Sequence, residues 1–456
     1  MVKSLSFVDQ GFLEMESREN PLHVGVVQVY DARGIDKASF VTRSLDYLSR
    51  AIAEHSPFNL KLHHGKGGQY DWVQVEKLNL DYHASRQAIE NGSLKDVMKV
   101  ASKLHESKMQ RDYPLWQLHA LEGLQDDLLA LYFKVHHACM DGVAGMRLLQ
   151  SFLSTDPAEQ KSITGQGDEN QSSAFKIPDL NIFSLFGKAE KILREEIHAV
   201  KELGMSFLKD FRSTDKSQNR LLPLPFTAPE TCFNGESNNQ RMLEVRSYRV
   251  DALKKVKKRL GVTVNDLVLA MCSGALRKYL EHKQSLPDMP LTAFIPVSVR
   301  SAHGSEGNEL GFIIVNLATH EPDIRKRIEL ISASTQAGKD QLSHMSKDAI
   351  KRHTEMFFAL GSVSGASSAL KYLPPMFNVV ISNVPAARKP LYLNGVPLKS
   401  IYPVSVLFSM QGLNITLLNY AGNLDFGLIG CSKMIPDLSV MAEFLDESFH
   451  EILQLK

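Results

Sequence analysis

Cysteine is scarce in this chain. Its 456 residues include only Cys139, Cys232, Cys272 and Cys431, and no two form a C-x-x-C pair. That argues against a disulfide framework and predicts free thiols in a reducing, cytoplasmic setting. An uncharged apolar run of about 18 residues is also missing, so no membrane-spanning helix is expected; contact with a membrane surface stays open. The opening MVKSLSFVDQGFLEMESREN has acidic residues and no apolar core, and does not read as a signal peptide. Charge of one sign is absent in bulk: 52 Lys and Arg face 51 Asp and Glu, a net charge of +1. This gives no broad basic surface for nucleic acid, and an anionic ligand would need a local site. No G-x-S-x-G nucleophile motif and no His/Cys cluster at zinc-ligand spacing stands out, so no metal is expected.

What is present is an ordinary globular composition, 43% hydrophobic and 23% charged, in a length that suits two domains. HVGVVQVY (23–30) alternates and is rich in β-branched residues, predicting a strand. KASFVTRSLDYLSRAIA (37–53) has helical spacing, so the first half is mixed α and β. Residues 154–173 turn polar and rich in Gly, Gln and Ser, as a connector does. A helix is expected over 186–211, with Ile192, Leu193, Ile197, Val200 and Leu203 on one face. It reads as a stripe packed on a domain; lying on a membrane surface is the other reading. The expected division is an N-terminal domain over 1–153, a connector over 154–240 and a C-terminal domain over 241–456.

KVHHACMDGVAG (134–145) is the stretch where chemistry concentrates. DDLLALYFKVHH (126–137) reads as a strand, and strand side chains alternate between faces. Leu131, Phe133, Val135 and His137 then share one face, while Tyr132, Lys134 and His136 share the other. Only one of the two histidines can face a given cavity. A helix is predicted to follow, with Asp141 as N-cap and Gly142 and Gly145 permitting close backbone approach. Asp141 therefore has a structural duty, as cap or ion pair. His137 alone could equally be a satisfied core histidine, and Cys139 is a rival nucleophile. In the second half, GVTVNDLVLAMCSGALRKYL (261–280) predicts a helix opening with a capping box from Thr263 to Asp266. Asn265 then lies in the first turn, at the positive helix end.

HHACMDG matches the HHxxxDG signature of acyltransferases that share the two-domain fold of chloramphenicol acetyltransferase. Further stretches are similar to blocks of the bacterial wax ester synthase/diacylglycerol acyltransferase family. They are PLW (114–116) preceded by Arg111, NDLVLA (265–270), IPVSVR (295–300), GNELGFIIVNLAT (307–319) and NVVISNVPAARKPLYLNGVPL (378–398). The likeness runs end to end, with one departure: NVPAAR stands where the family more often has Gly-Pro after NVP.

The resemblance implies an α/β (α+β) fold of two chloramphenicol acetyltransferase-like domains, each a mixed sheet covered by helices, with a tunnel between them. It implies transfer of a long-chain acyl group from acyl-CoA to a fatty alcohol or a diacylglycerol. No cofactor is implied beyond the acyl-CoA substrate, and a peripheral membrane or lipid-droplet surface is a possible partner. His137 matches the family's catalytic histidine, here the general base, and Asn265 would stabilise the oxyanion. His136, Asp141, Gly142, Asp266 and Arg300 would be structural at the site, with Arg300 a candidate partner of Asp141. Pro114, Leu115, Trp116, Gly361 and Gly365 are candidates for the tunnel wall. Two other functions share the corner: a condensation-type acyltransferase, and a non-catalytic lipid-binding or lipid-droplet protein.

Overall fold

The computed structural model describes residues 2–5, 7–65, 70–161, 221–299, 309–346, 349–350, 354 and 374–455. The first half runs β1 (Val2–Ser4), α1 (Phe7–Met15), β2 (His23–Asp31), α2 (Lys37–Ala53), β3 (Leu60–His64), β4 (Tyr70–Gln74) and α3 (Leu80–His83). It continues with β5 (Ala84–Ala88), α4 (Leu94–Glu106), β6 (Trp116–Glu122), β7 (Leu128–His136) and α5 (Gly142–Phe152). The second half begins with β8 (Arg241–Arg249), α6 (Val250–Leu260), α7 (Val264–His282), β9 (Thr292–Val299), β10 (Glu309–Asn316) and α8 (Ile324–His344). It ends with β11 (Val379–Pro385), β12 (Tyr392–Leu393), β13 (Val396–Val404), β14 (Leu413–Tyr420), β15 (Asn423–Cys431) and α9 (Leu438–Gln454).

Two six-stranded mixed sheets carry the described fold, in the orders β12-β13-β2-β7-β6-β5 and β10-β9-β11-β14-β15-β8. In the first sheet, β7 alternates as its sequence predicts. Leu131 and Val135 pack with Phe40 and Leu48 of α2 and Met146 of α5. Ala130 and Tyr132 face the other way, onto Val97 and Met98 of α4 and Val245 of β8. In the second sheet α7 is buried on all sides of its middle, against β9, β11 and β14 and against α9. Among the described residues no single helix is long and apolar enough to cross a membrane.

One feature departs from the linear division at 153 and 240. β12 and β13 belong to the second half of the sequence, yet β13 pairs antiparallel with β2 in the first sheet, from Leu398 opposite Tyr30 to Val404 opposite Gly25. Sheet membership therefore does not follow the expected boundaries. The chain returns to the second sheet in β14, and the crossing is tight. A Cβ on Gly427 of β15 would lie 1.8 Å from the Pro403 carbonyl oxygen, so no other residue fits there without backbone movement. The proposed connector helix over 186–211 lies outside the described residues.

Candidate active site

β7 ends at His136, one residue short of the expected strand, and residues 137–139 turn. The corner is pinned by the residues that immediately precede both neighbouring strands. The His136 N–H donates to the Leu115 carbonyl and the His137 N–H to the Leu22 carbonyl, each at 2.9 Å. The turn closes on itself, with the Cys139 N–H donating to the His136 carbonyl at 2.9 Å. α5 then starts with Asp141 as N-cap, its Oδ1 accepting from the Ala144 N–H at 2.8 Å. This satisfies a donor that the first helical turn would leave unpaired.

Leaving the strand changes what His137 faces. Its ring stacks on Phe12 of α1, with centroids 4.0 Å apart and planes 18° from parallel. The residue is partly exposed, but Nδ1 is sealed from solvent and makes no well-formed hydrogen bond. Burial pushes its pKa below the ordinary 6.5, against the pull of the Asp141 charge and of its own carbonyl. The imidazole is therefore neutral at neutral pH.

His136 points the other way, into the protein. Its Nδ1 accepts from the Ala138 N–H at 3.1 Å, so the ring proton must sit on Nε2 when the ring is neutral. That nitrogen looks toward Glu16 Oε1 at 3.8 Å, and His23 Nε2 approaches the same oxygen at 3.7 Å. His23 stands directly opposite His136 in the β2–β7 register. Glu16 also meets Arg111 at 2.7 Å and Lys108 at 3.1 Å, with its own side chain only 2% exposed. Burial raises its pKa, but His23, His136, Arg111 and Lys108 outweigh burial and hold the carboxyl well below its usual range. Lys134, next on the inward face, donates to the Leu104 and Ser107 carbonyls at 2.7 and 2.8 Å. Burial lowers it to about 7. His136 thus braces the turn from behind by a side-chain to backbone bond, within a buried polar cluster. Sequence reasoning missed Glu16, His23 and Lys134, because their partners come from distant parts of the chain.

From the second half, α7 opens as predicted. Thr263 caps the Asp266 N–H at 3.1 Å, while Asp266 Oδ2 accepts from the Thr263 N–H at 2.8 Å. Asp266 is buried in that reciprocal bond and also accepts from Ser332 at 3.3 Å, which occupies it structurally. Asn265 beside it is partly exposed, and its Oδ1 accepts from Asn383 Nδ2 at 3.4 Å. Asn383 belongs to β11, whose next residue, Val384, lies against α5: a Cβ on Gly142 would sit 3.5 Å from Val384 Cγ2. The end of β11 is thus the bridge that carries the Asn265 amide to the same side of the molecule as the histidine corner.

The PLW residues are packed in the interior. Leu115 is 2% exposed and Trp116 fully buried, so neither lines an open passage; Pro114 is buried as well. Trp116 donates its indole N–H to the Phe58 carbonyl at 2.9 Å and stacks on His83 at 4.3 Å. Leu115 packs with Phe12 and Ala138 while its carbonyl holds the His136 N–H. The motif fixes the corner by packing and by that backbone bond. Cys139 is a poor nucleophile here, since burial pushes its thiol far above the usual range. Arg300, Gly361 and Gly365 lie outside the described residues.

A histidine clamped between two strands, with an aspartate-capped helix leaving the same turn and a second mixed sheet reaching over it, places the protein among the two-domain HHxxxDG acyltransferases. Residues 5–268 match the wax ester synthase/diacylglycerol acyltransferase catalytic domain, and residues 306–453 match the WS/DGAT C-terminal domain. The chain belongs to the wax ester synthase/diacylglycerol acyltransferase family and is an acyltransferase enzyme. It is 38% identical over 456 residues to a probable diacylglycerol O-acyltransferase of Mycobacterium tuberculosis, covering 98% of both chains. It is 33% identical to the O-acyltransferase WSD of Acinetobacter baylyi, covering 98% of this chain and 96% of that one. The wax ester synthase/diacylglycerol acyltransferase from Marinobacter aquaeolei VT8 superposes with a TM-score of 0.77 at 31% identity, over 99% of this chain and 98% of that one. The first condensation domain of the CDA synthetase, at 13% identity and a TM-score of 0.57, shares the fold.

Proposed function

We propose that this enzyme transfers a long-chain acyl group from acyl-CoA to the hydroxyl of a fatty alcohol or a diacylglycerol, with His137 as general base. The observation that carries the reading is the setting of His137: a partly exposed imidazole on a turn that three backbone hydrogen bonds hold in place, where burial disfavours its charged form. An alcohol is a poor nucleophile until its proton is removed, and a neutral imidazole can take it at neutral pH. With Nδ1 sealed inside, Nε2 is the nitrogen left for substrate. As it removes the hydroxyl proton, the oxygen attacks the thioester carbonyl and a tetrahedral oxyanion forms. Collapse breaks the carbon–sulfur bond, and the imidazolium returns its proton to the CoA thiolate. Ester and CoA thiol leave, and the histidine is again neutral.

The Asn265 amide, at the positive end of α7, is the donor we assign to the oxyanion. Asp141 holds the helix that leaves the corner, and its charge supports the transient imidazolium. No covalent acyl-enzyme is needed, in keeping with the suppressed Cys139 thiol. Relatives named as diacylglycerol O-acyltransferases and as a wax ester synthase support the two acceptor classes. The test is release of CoA thiol from palmitoyl-CoA by purified protein, offered hexadecanol and dipalmitoylglycerol separately. His137→Ala should lower turnover by about a hundredfold to ten-thousandfold while circular dichroism stays native. Full turnover in a folded variant would remove His137 from the mechanism.

A further inference from the structure

The SNVP segment has no role in the scheme above, yet the structure sets it at the site. β11 pairs with β9 only at Val379 and Val380, while its pairing with β14 runs on from Val380 to Pro385. The strand therefore outruns one neighbour, and its last residues reach toward the first half, where Val384 meets Gly142. Asn383 lies in that overhang, exposed, with its side-chain Nδ2 donating to Asn265 Oδ1 at 3.4 Å.

We infer that Asn383 is a positioning residue for Asn265, fixing which end of that amide faces the reacting atoms. A primary amide presents an acceptor at one end and two donors at the other, and catalysis of the proposed kind uses only the donors. At the start of a helix the free backbone N–H groups attract a side-chain oxygen, so an unassisted asparagine there is drawn into capping geometry. The Asn383 donor holds Oδ1 from outside the helix. Both Nδ2 hydrogens then remain available to a developing negative charge. Because β11 also carries Val384 against Gly142, the same strand end registers the amide against the corner that bears His137. This inference rests on the proposed role of Asn265.

The test is steady-state kinetics on a double-mutant cycle, with palmitoyl-CoA and hexadecanol. Asn265→Ala should lower kcat by about a hundredfold or more. Asn383→Ala should lower kcat by about three- to tenfold with KM unchanged, the value of one modest hydrogen bond. Asn383→Asp should be worse than Asn383→Ala, because a carboxylate cannot donate to Oδ1 and draws the Nδ2 hydrogens to itself. The double variant Asn265→Ala/Asn383→Ala should be no slower than Asn265→Ala alone. A side chain that merely supported the fold would give additive losses and treat Ala and Asp alike, along with a lowered melting temperature. Additive losses, or an Asn383→Ala enzyme as fast as the wild type while Asn265→Ala is slow, overturn the positioning role alone. An Asn265→Ala enzyme with wild-type kcat overturns the oxyanion assignment and this inference with it.

Discussion

The acid–base character of His137 comes from its surroundings. Burial against Phe12 disfavours the imidazolium, while the Asp141 charge favours it, and burial prevails. In the proposed mechanism the neutral ring is the active form, so activity should be lost as pH falls through a value below 6.5. The acidic limb of kcat/KM for hexadecanol should therefore lie below the ordinary histidine range. Asp141→Asn keeps a good N-cap but removes the charge, and should move that limb further down. A limb at or above 6.5 in the wild type would contradict the burial argument. The inward turn of His136 was legible from strand alternation, whereas His137 leaves the strand and faces Phe12. What His136 turns toward was not legible. Glu16, His23 and Arg111 converge on it only through tertiary pairing, and a single sequence holds no local trace of such a meeting.

Among elements, those with chemical punctuation were the readable ones. α2 matches its predicted span of 37–53, and α5 and α7 begin at the caps foreseen for Asp141 and Thr263. β7 stops one residue early, since the Cys139 N–H bonds back to the His136 carbonyl and the turn begins there. Alternation fixes faces and leaves the end point to neighbours. α5 carries a prediction of its own. Asp141→Ala removes the acceptor for the Ala144 N–H and should cost about 1 kcal/mol, read as a lowered urea midpoint at unchanged slope. It should also reduce kcat, because the loosened helix start is continuous with the turn bearing His137. An Asp141→Asn protein with wild-type stability beside a destabilised Asp141→Ala protein would assign that loss to the cap.

For the molecule as a whole, buried neutral bases set the response to acid. His23 and His119 are buried, and burial lowers each pKa from 6.5 to about 4. Between about pH 4 and 6.5 the unfolded chain binds protons that the native protein refuses, so stability rises with pH across this window. It is fully present above 6.5 and is lost progressively on acidification, by about 3 kcal/mol for each ring. Denaturant titrations at pH 7.5 and 5 should show the loss. His119→Gln, which cannot titrate, should reduce the difference, and equal stability at both pH values would refute the assignment. The mixed sheets were foreseen from the family likeness. The passage of β13 into the first sheet was not, since pairing between remote segments leaves no periodic mark on either.

That passage has a consequence for how the protein is made. β2 emerges from the ribosome early, with Val26 to Tyr30 offering a bare strand edge, and its permanent neighbour β13 is not complete until Val404 has been synthesised. At roughly 5–20 residues per second the delay is on the order of tens of seconds. Throughout it the growing polypeptide displays a ready template for pairing with another nascent chain.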